Sequence, residues 1–247
     1  MIPKVIHYCW LSDNPMPSSI IRCMDSWERV LPNYELRKWD LKRFPLDKSE
    51  WVRQAYEKKK YAFAADYIRL YALYTEGGIY LDCDVEVLKP YDDLLQLPYF
   101  ICKENSPQGI EAATIGADKG CSWISRCLDY YEDRLFINEK GEQDTRVLPA
   151  IINEALVSHY KVLPISNIGQ FDDESGIVCV FSSDFFSPKS YITKEIKRTD
   201  NTYSIHHFSG SWQPWWKKLL LYVWVPFSVA FPQLSRNLKK IWKGWHI

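Results

Sequence analysis

The segment from Ala62 to Glu86 constrains the fold most strongly. It begins with an uninterrupted helical stretch rich in alanine, leucine and aromatic residues, which is expected to end at Gly77-Gly78 with a glycine C-cap. The apolar run Ile79–Leu81 then predicts a short strand, and Asp82-Cys83-Asp84 follows at its end. Because ligands of open α/β sheets bind at the carboxyl ends of strands, this order predicts an α/β domain with a site at these aspartates.

Strands and helices are also predicted elsewhere along the chain. Further strands are expected at Val5–Trp10, Tyr34–Trp39, Val85–Leu88, Tyr99–Lys103, Ala113–Gly116, Ile177–Phe181 and Ser204–Phe208. Further helices are expected at Ile20–Val30, Ser122–Tyr131 and Arg146–Leu156. The alternation of strands with helices predicts a Rossmann-like parallel sheet at the amino-terminal end.

The composition excludes several classes of protein. A chain of 247 residues is long enough for one large α/β domain, and its formal net charge of zero favours neither nucleic acid nor an acidic partner. Seven cysteines without a CxxC pair argue against a disulfide framework or a structural zinc site, and favour a reducing compartment. The first ten residues do not resemble a signal peptide, and no run of about 20 apolar residues predicts a transmembrane helix. A cytoplasmic protein is therefore expected.

Asp82 and Asp84 are the first candidate ligands. In an extended chain, residues i and i+2 point to the same side, where two carboxylates repel unless a cation lies between them. Oxygen ligands suit Mg²⁺ or Mn²⁺, although a solvated acidic turn is the simpler explanation of the motif alone. Asp66 and Arg69 share one face of the preceding helix and are expected near the same end of the sheet. The alternative is that Asp66 and Arg69 form a surface ion pair, which would contribute little to stability.

Aromatic and histidine residues add further candidates. His7 and Trp10 lie at the end of the first predicted strand, where a nucleotide base would stack, unless they belong to the core. His206 and His207 precede a Gly-Ser turn, and either could offer an imidazole to a metal.

Together these motifs resemble glycosyltransferase family 32. The resemblance is carried by Ile2–Trp10, Ala65–Leu70 and Glu76–Asp84, and it extends to Trp212. The family includes fungal α-1,6-mannosyltransferases and bacterial capsule and lipopolysaccharide sugar transferases, and the spacing is similar to that in the catalytic domains of large glucosylating toxins. The resemblance implies a GT-A fold, with a Rossmann-like mixed central sheet flanked by helices. It also implies retaining transfer of a hexose from a nucleoside-diphosphate sugar.

The resemblance also implies roles for the amino-terminal candidates. It places Trp10 against the base, Asp66 and Arg69 on the donor sugar or its diphosphate, and Asp82 and Asp84 on ribose and metal. UDP sugars are the first expectation for the donor and GDP-mannose the second. Retention by a front-face route or by double displacement stays open.

Later residues receive their roles by the same resemblance. His207 is favoured over His206 as the metal ligand because of its spacing to Gly210, and Trp212 is expected close to the diphosphate. Gln143 and Asp144 resemble a polar pair near the reaction centre of related families, although their surroundings depart from the usual proline-rich pattern.

Two other functions are compatible with parts of the sequence. A two-metal phosphoesterase could use Asp82, Asp84 and the two histidines to activate water, but it would need further ligands and leaves Trp10 unexplained. A non-catalytic sugar-binding module could use the aromatic residues, but this function does not explain the paired aspartates.

The carboxyl-terminal segment differs in composition from the rest. A catalytic domain is expected at 1–212 and a tail at 213–247, since the chain contains no Asp or Glu after Asp200. Six tryptophans and six basic residues lie between Trp212 and Ile247, while the apolar run Leu219–Phe231 is too short to span a bilayer. This pattern predicts a segment lying on an anionic membrane surface, beside a glycan acceptor that could be lipid-linked. The alternative is a helix that packs on the catalytic domain.

Overall fold

The structure is a computed structural model that describes residues 1–105 and 109–210. Its helices are α1 (Ser18–Val30), α2 (Glu50–Glu57), α3 (Tyr61–Glu76), α4 (Ser122–Leu128) and α5 (Leu148–His159). Its strands are β1 (Val5–Cys9), β2 (Glu35–Trp39), β3 (Gly78–Leu81), β4 (Val85–Val87), β5 (Tyr99–Phe100), β6 (Thr114–Ala117), β7 (Lys161–Ile165), β8 (Ile177–Phe181) and β9 (Ser204–His206). Short 3-10 turns occur at Leu46–Lys48, Asp129–Tyr131 and Ile168–Gln170.

The central sheet has five strands in the order β2-β1-β3-β6-β5. Strands β2, β1 and β3 are parallel, which confirms the Rossmann-like arrangement expected at the amino-terminal end. Strand β6 runs antiparallel to both β3 and β5, so the sheet is mixed. Two small sheets, β4-β9 and β7-β8, accompany it. The expected α/β architecture, a mixed central sheet flanked by helices, is confirmed.

Two apolar cores cover the two faces of this sheet. Within β3, Tyr80 joins the core that contains Ile68 and Leu73 of α3, whereas Ile79 and Leu81 join the other core. This alternation follows from the two-residue period of a strand. Strand β3 is therefore packed on both of its faces, and helix α3 covers one of them.

Gly77 and Gly78 make the reversal between α3 and β3. The amide of Gly77 donates to Leu73 O at 2.9 Å, and Gly77 has φ 69°, a conformation that favours glycine. A Cβ on Gly78 would lie 2.8 Å from Val5 O. The two glycines thus let β3 run close beside β1.

Two elements were not predicted. Helix α2 is short and charged, and it is capped by Ser49, whose side chain accepts from the Val52 amide. Strand β7 contains Pro164 and pairs in parallel with β8, so its formation depends on a distant partner rather than on its own composition.

The division of the chain at residues 212 and 213 stays a prediction. Met1–Phe208 forms one compact unit, and the tail 213–247 lies outside the described residues. Within the part of the chain that the structure describes, no helix combines the length and apolar character that crossing a bilayer requires.

Candidate active site

Asp82 and Asp84 lie in a tight turn at the carboxyl end of β3. The Val85 amide donates to Asp82 O at 2.9 Å, so the segment is not extended as the sequence argument assumed. The Asp82 amide donates to Ala113 O, also at 2.9 Å, which ties the turn to the residue before β6. The turn nevertheless directs both carboxylates toward one histidine.

That histidine is His206, on β9. Strand β9 pairs antiparallel with β4, and Val85 stands opposite His206 in the register. His206 Nε2 lies 3.5 Å from Asp84 Oδ1, and ligand atoms of His206, Asp82 and Asp84 all lie within 4.8 Å of one another. Three side chains from two separate parts of the chain therefore converge at this end of the sheet.

His207 takes a different position. Its Nε2 lies 2.9 Å from Glu86 Oε2, and its amide donates to Asp84 O at 3.1 Å. The structure thus groups His206, rather than the expected His207, with the two aspartates, because successive residues of a strand point to opposite sides. Which histidine binds a metal stays a prediction.

Glu111 completes this group and was missed by the sequence analysis. It is 1% exposed, and its carboxylate lies 3.2 Å from His206 Nδ1. Burial alone would lower the pKa of His206, but the negative charges of Glu111 and Asp84 outweigh it and raise that pKa to about 10. His206 in turn lowers the pKa of Glu111 against the opposite effect of burial. The available signal was a lone carboxylate within an otherwise uncharged and mostly apolar stretch, Ile110–Ala117.

Arg69 connects α3 to the aspartate turn. Its Nη2 lies 3.1 Å from Asp66 Oδ1 and 3.2 Å from Asp82 Oδ1, and its Nη1 donates to Ala112 O. The side chains of Arg69 and Asp66 are 7% and 15% exposed, so their contact is not a surface ion pair. Burial raises the pKa of Asp66 to about 6, although Arg69 opposes this shift. The Tyr80 hydroxyl also donates to Asp82 Oδ1, at 3.1 Å.

The placement of His7 argues against the expected cofactor contact. His7 is fully buried, Trp39 Nε1 donates to its Nδ1 at 2.9 Å, and its Nε2 donates to Gly77 O at 2.8 Å. Burial lowers its pKa, and the hydrogen-bond pattern fits a neutral ring. Since both nitrogens have protein partners, His7 holds the glycine turn instead of presenting a nitrogen to a ligand.

Trp10 follows β1 at the same end of the sheet as the aspartate turn. It is half-buried, and its Nε1 donates to Asn14 O at 3.0 Å. Its predicted contact with a base stays a prediction. Trp212, expected near the diphosphate, lies outside the described residues.

Gln143 and Asp144 lie between the 3-10 turn Asp129–Tyr131 and helix α5. Asp144 accepts from the Tyr130 hydroxyl at 2.6 Å and lies 3.3 Å from Arg134 Nη1. Both residues line an open groove of about 570 Å³ whose walls come from residues 132–144. The contacts described for Asp144 thus differ from those of the DXD group, and its role near the reaction centre stays a prediction.

The donor set of Asp82, Asp84 and His206 fits a divalent cation. Carboxylates suit Mg²⁺ and Mn²⁺, and an imidazole is more typical of transition metals, so the combination favours Mn²⁺. The two carboxylates would also repel each other less with a cation between them.

Part of the chain is similar to known glycosyltransferases. Residues 13–101 match the family described as "Glycosyltransferase sugar-binding region containing DXD motif". Inositol phosphoceramide mannosyltransferase 3 of Schizosaccharomyces pombe is 33% identical over 123 residues, which cover 48% of this chain and 34% of that protein. Glucan organizing enzyme 1 of Cryptococcus neoformans is 37% identical over 107 residues, which cover 38% of this chain and 29% of that protein. The chain spans about a third of the length of these two curated relatives.

Among solved structures, the PaToxG glycosyltransferase superposes with a TM-score of 0.48 at 20% identity, over 64% of this chain and 69% of that one. The matched residues 13–101 include α3, the glycine turn and the aspartate turn, whose geometry is described above. Residues 13–101 therefore match a DXD-containing glycosyltransferase family over the part of the chain that carries the aspartate turn.

Proposed function

We propose that this protein transfers a hexose from a nucleoside-diphosphate sugar to a glycan acceptor, with the help of Mn²⁺ or Mg²⁺. The observation that carries the proposal is the convergence of Asp82, Asp84 and His206 within 4.8 Å, in a chain whose residues 13–101 match the DXD family. His206 replaces His207 in this proposal because His207 contacts Glu86 instead.

The protein side chains have separable tasks in the proposed reaction. Asp82, Asp84 and His206 would hold the cation, which when bound neutralises charge that develops on the departing diphosphate. Arg69 fixes Asp82 from one side, and the Tyr80 hydroxyl donates to the same carboxylate. Burial of Arg69 and Asp66 keeps water away from this contact, where fixed charges interact more strongly than in bulk solvent.

The proposed donor is a UDP sugar or GDP-mannose. UDP sugars remain one candidate class, and the mannosyltransferase names of several relatives bring GDP-mannose forward beside them. Retention of the anomeric configuration is part of the proposal through the family resemblance. An NMR anomeric coupling that shows a β-linked product from an α-linked donor would contradict it.

The acceptor is proposed to be a glycan of the cell surface, attached to a lipid. The relative from S. pombe is named for inositol phosphoceramide, a lipid acceptor, which supports this class. The aromatic and basic tail 213–247 would hold the enzyme at the cytoplasmic face of the membrane, near such an acceptor.

A donor-hydrolysis screen tests the proposal. The full chain is incubated with UDP sugars and GDP-mannose, with and without Mn²⁺, and release of the nucleoside diphosphate is measured because slow hydrolysis needs no acceptor. Metal-dependent release with one donor supports the transferase. Hydrolysis of simple phosphomonoesters without any nucleotide-sugar turnover would instead indicate a phosphoesterase. Titration calorimetry that detects free sugar but no nucleotide would indicate a binding module.

A further inference from the structure

We propose that Glu111 is a positioning residue that holds His206 in the orientation needed to bind the cation. The inference rests on the proposed metal site and concerns a residue outside the DXD motif. Glu111 would accept a hydrogen bond from the Nδ1–H group of His206, so that Nε2 of the same ring faces Asp84.

Both the carboxylate and the backbone of Glu111 are held by hydrogen bonds. Its Oε1 accepts from the Ala113 amide at 2.7 Å, and the Glu111 amide donates to Cys102 O at 2.9 Å. Ala113 O in turn accepts from the Asp82 amide at 2.9 Å. One residue, Ala113, therefore holds both the carboxylate that contacts His206 and the turn that carries the aspartates.

The geometry at His206 divides its two nitrogens between two partners. Nδ1 lies 3.2 Å from Glu111, and Nε2 lies 3.5 Å from Asp84 Oδ1. The ring of Phe208 covers His206 with centroids 4.0 Å apart, and Phe208 reaches this position with φ 53°. With the ring covered by Phe208 and Nδ1 held by a carboxylate, Nε2 is the nitrogen available to a cation.

The contact between Glu111 and His206 has a physical explanation. A metal-binding histidine commonly donates its other N–H to a carboxylate, which sets the tautomer and the ring orientation. A carboxylate that is 1% exposed is costly unless it is paired, so a purely apolar packing role would not require glutamate here. The pairing of Glu111 with His206 provides both the compensation and the orientation.

A competing explanation makes Glu111 a metal ligand itself. Ligand atoms of Glu104, Glu111 and His206 also lie within 4.8 Å of one another. The Glu111 carboxylate, however, already accepts from Ala113 and contacts His206. A ligand role would require Glu104 as well, whereas a positioning role would not.

The test measures Mn²⁺ affinity alone, by electron paramagnetic resonance of free Mn²⁺, in the full chain. Glu111→Leu should weaken binding by about 10–100-fold, the range seen when such partners are removed. Glu111→Gln should give an intermediate loss, because the amide oxygen can still accept hydrogen bonds but lacks the negative charge that faces His206. Glu104→Gln, the matched control, should bind as the unmodified chain does. Circular dichroism and thermal melts check that each variant is folded, and Glu111→Gln serves if Glu111→Leu is not.

A double-mutant cycle separates the two explanations. In a His206→Ala background, Glu111→Leu should cause no further loss of affinity if Glu111 acts only through His206. A folded Glu111→Leu variant with unchanged affinity would overturn the inference, as would an additive loss in the double variant or an equal loss in Glu104→Gln. If the unmodified chain binds no Mn²⁺, the proposed metal site itself fails, and the role of Glu111 fails with it.

Discussion

Arg69 Nη2 lies 3.2 Å from Asp82 Oδ1, although the two residues belong to different elements on either side of the glycine turn. The same nitrogen lies 3.1 Å from Asp66 Oδ1, so one guanidinium joins helix α3 to the aspartate turn. Burial lowers the pKa of Arg69, but the Asp82 carboxylate and other neighbouring groups outweigh this effect and raise it. Arg69 therefore keeps its charge, whereas burial raises the pKa of Asp66 to about 6, so that acidification removes the charge of this carboxylate first.

Removal of this guanidinium should destabilise the fold. Arg69→Met leaves Asp66 and Asp82 buried without their cation, so the free energy of unfolding in urea is expected to fall by about 3–5 kcal/mol. Arg53→Met is the matched control, because Arg53 contacts Glu50 and Glu57 with the same helical spacing but is 42% exposed. That variant should lose no more than about 1 kcal/mol. Equally small losses of unfolding free energy in both variants would show that the buried ion pair stabilises the fold no more than the exposed one does.

Substitution of either DXD aspartate should remove the proposed activity without unfolding the protein. Asp84→Asn and Asp82→Asn preserve side-chain size but remove the charge that would hold the cation, so donor hydrolysis and Mn²⁺-dependent nucleotide binding should be lost. Asp92→Asn is the control, since Asp92 is 50% exposed and contacts Lys4. Near-normal hydrolysis by Asp84→Asn at saturating Mn²⁺ would exclude the catalytic assignment.

Trp10 should contribute to nucleotide affinity more than to turnover. Stacking of a base on an aromatic ring contributes about 1–3 kcal/mol, so Trp10→Ala is expected to weaken nucleotide binding about tenfold to a hundredfold in calorimetry. Trp10→Phe keeps an aromatic face and should retain most of the affinity. If the folded Trp10→Ala variant binds nucleotide normally, Trp10 is a packing residue only.

His7 should make stability depend on pH. Its pKa in the folded state is lowered from 6.5 by burial, so below this value the unfolded chain binds a proton that the folded chain does not. The stability is therefore present above the unfolded pKa and is lost as the pH falls through it. His7→Gln, which can still accept from Trp39 and donate to Gly77, should show a smaller loss of unfolding free energy between about pH 7.5 and about pH 5.5. Identical pH dependence in both proteins would contradict this assignment.

The tail should bind anionic membranes through its basic residues. Charge reversal at Lys239, Lys240 and Lys243 is expected to release the full chain from anionic liposomes at low salt, because each cation contributes about 1 kcal/mol near such a surface. Reversal of the exposed lysines Lys58, Lys59 and Lys60 is the control with the same change in charge. Donor hydrolysis should persist in both variants. If the full chain does not bind these liposomes at low salt, the proposed anchor is wrong.

The local sequence was sufficient to predict most of the secondary structure near the site. Helix α3, its glycine stop and strand β3 were predicted to within a residue or two because their signals lie next to each other in the chain. The expected approach of Asp66 and Arg69 to the aspartate turn also occurs in the structure, with both side chains largely buried. The aspartate segment itself was predicted as extended but forms a turn, since the hydrogen bond from Val85 to Asp82 depends on how β4 leaves the sheet.

The sequence by itself determined the glycine reversal and the presence of paired aspartates after a buried strand, because these depend on neighbours along the chain. The parallel start of the sheet was predicted from the alternation of strands with helices. Only the tertiary structure decided that His206 rather than His207 faces Asp84, and that Glu111 holds the opposite nitrogen of His206. Two adjacent histidines differ only in the side of the strand to which they point, and that side is set by the pairing of β9 with β4. The partners of this pairing are more than 100 residues apart in sequence, so no local pattern could specify it.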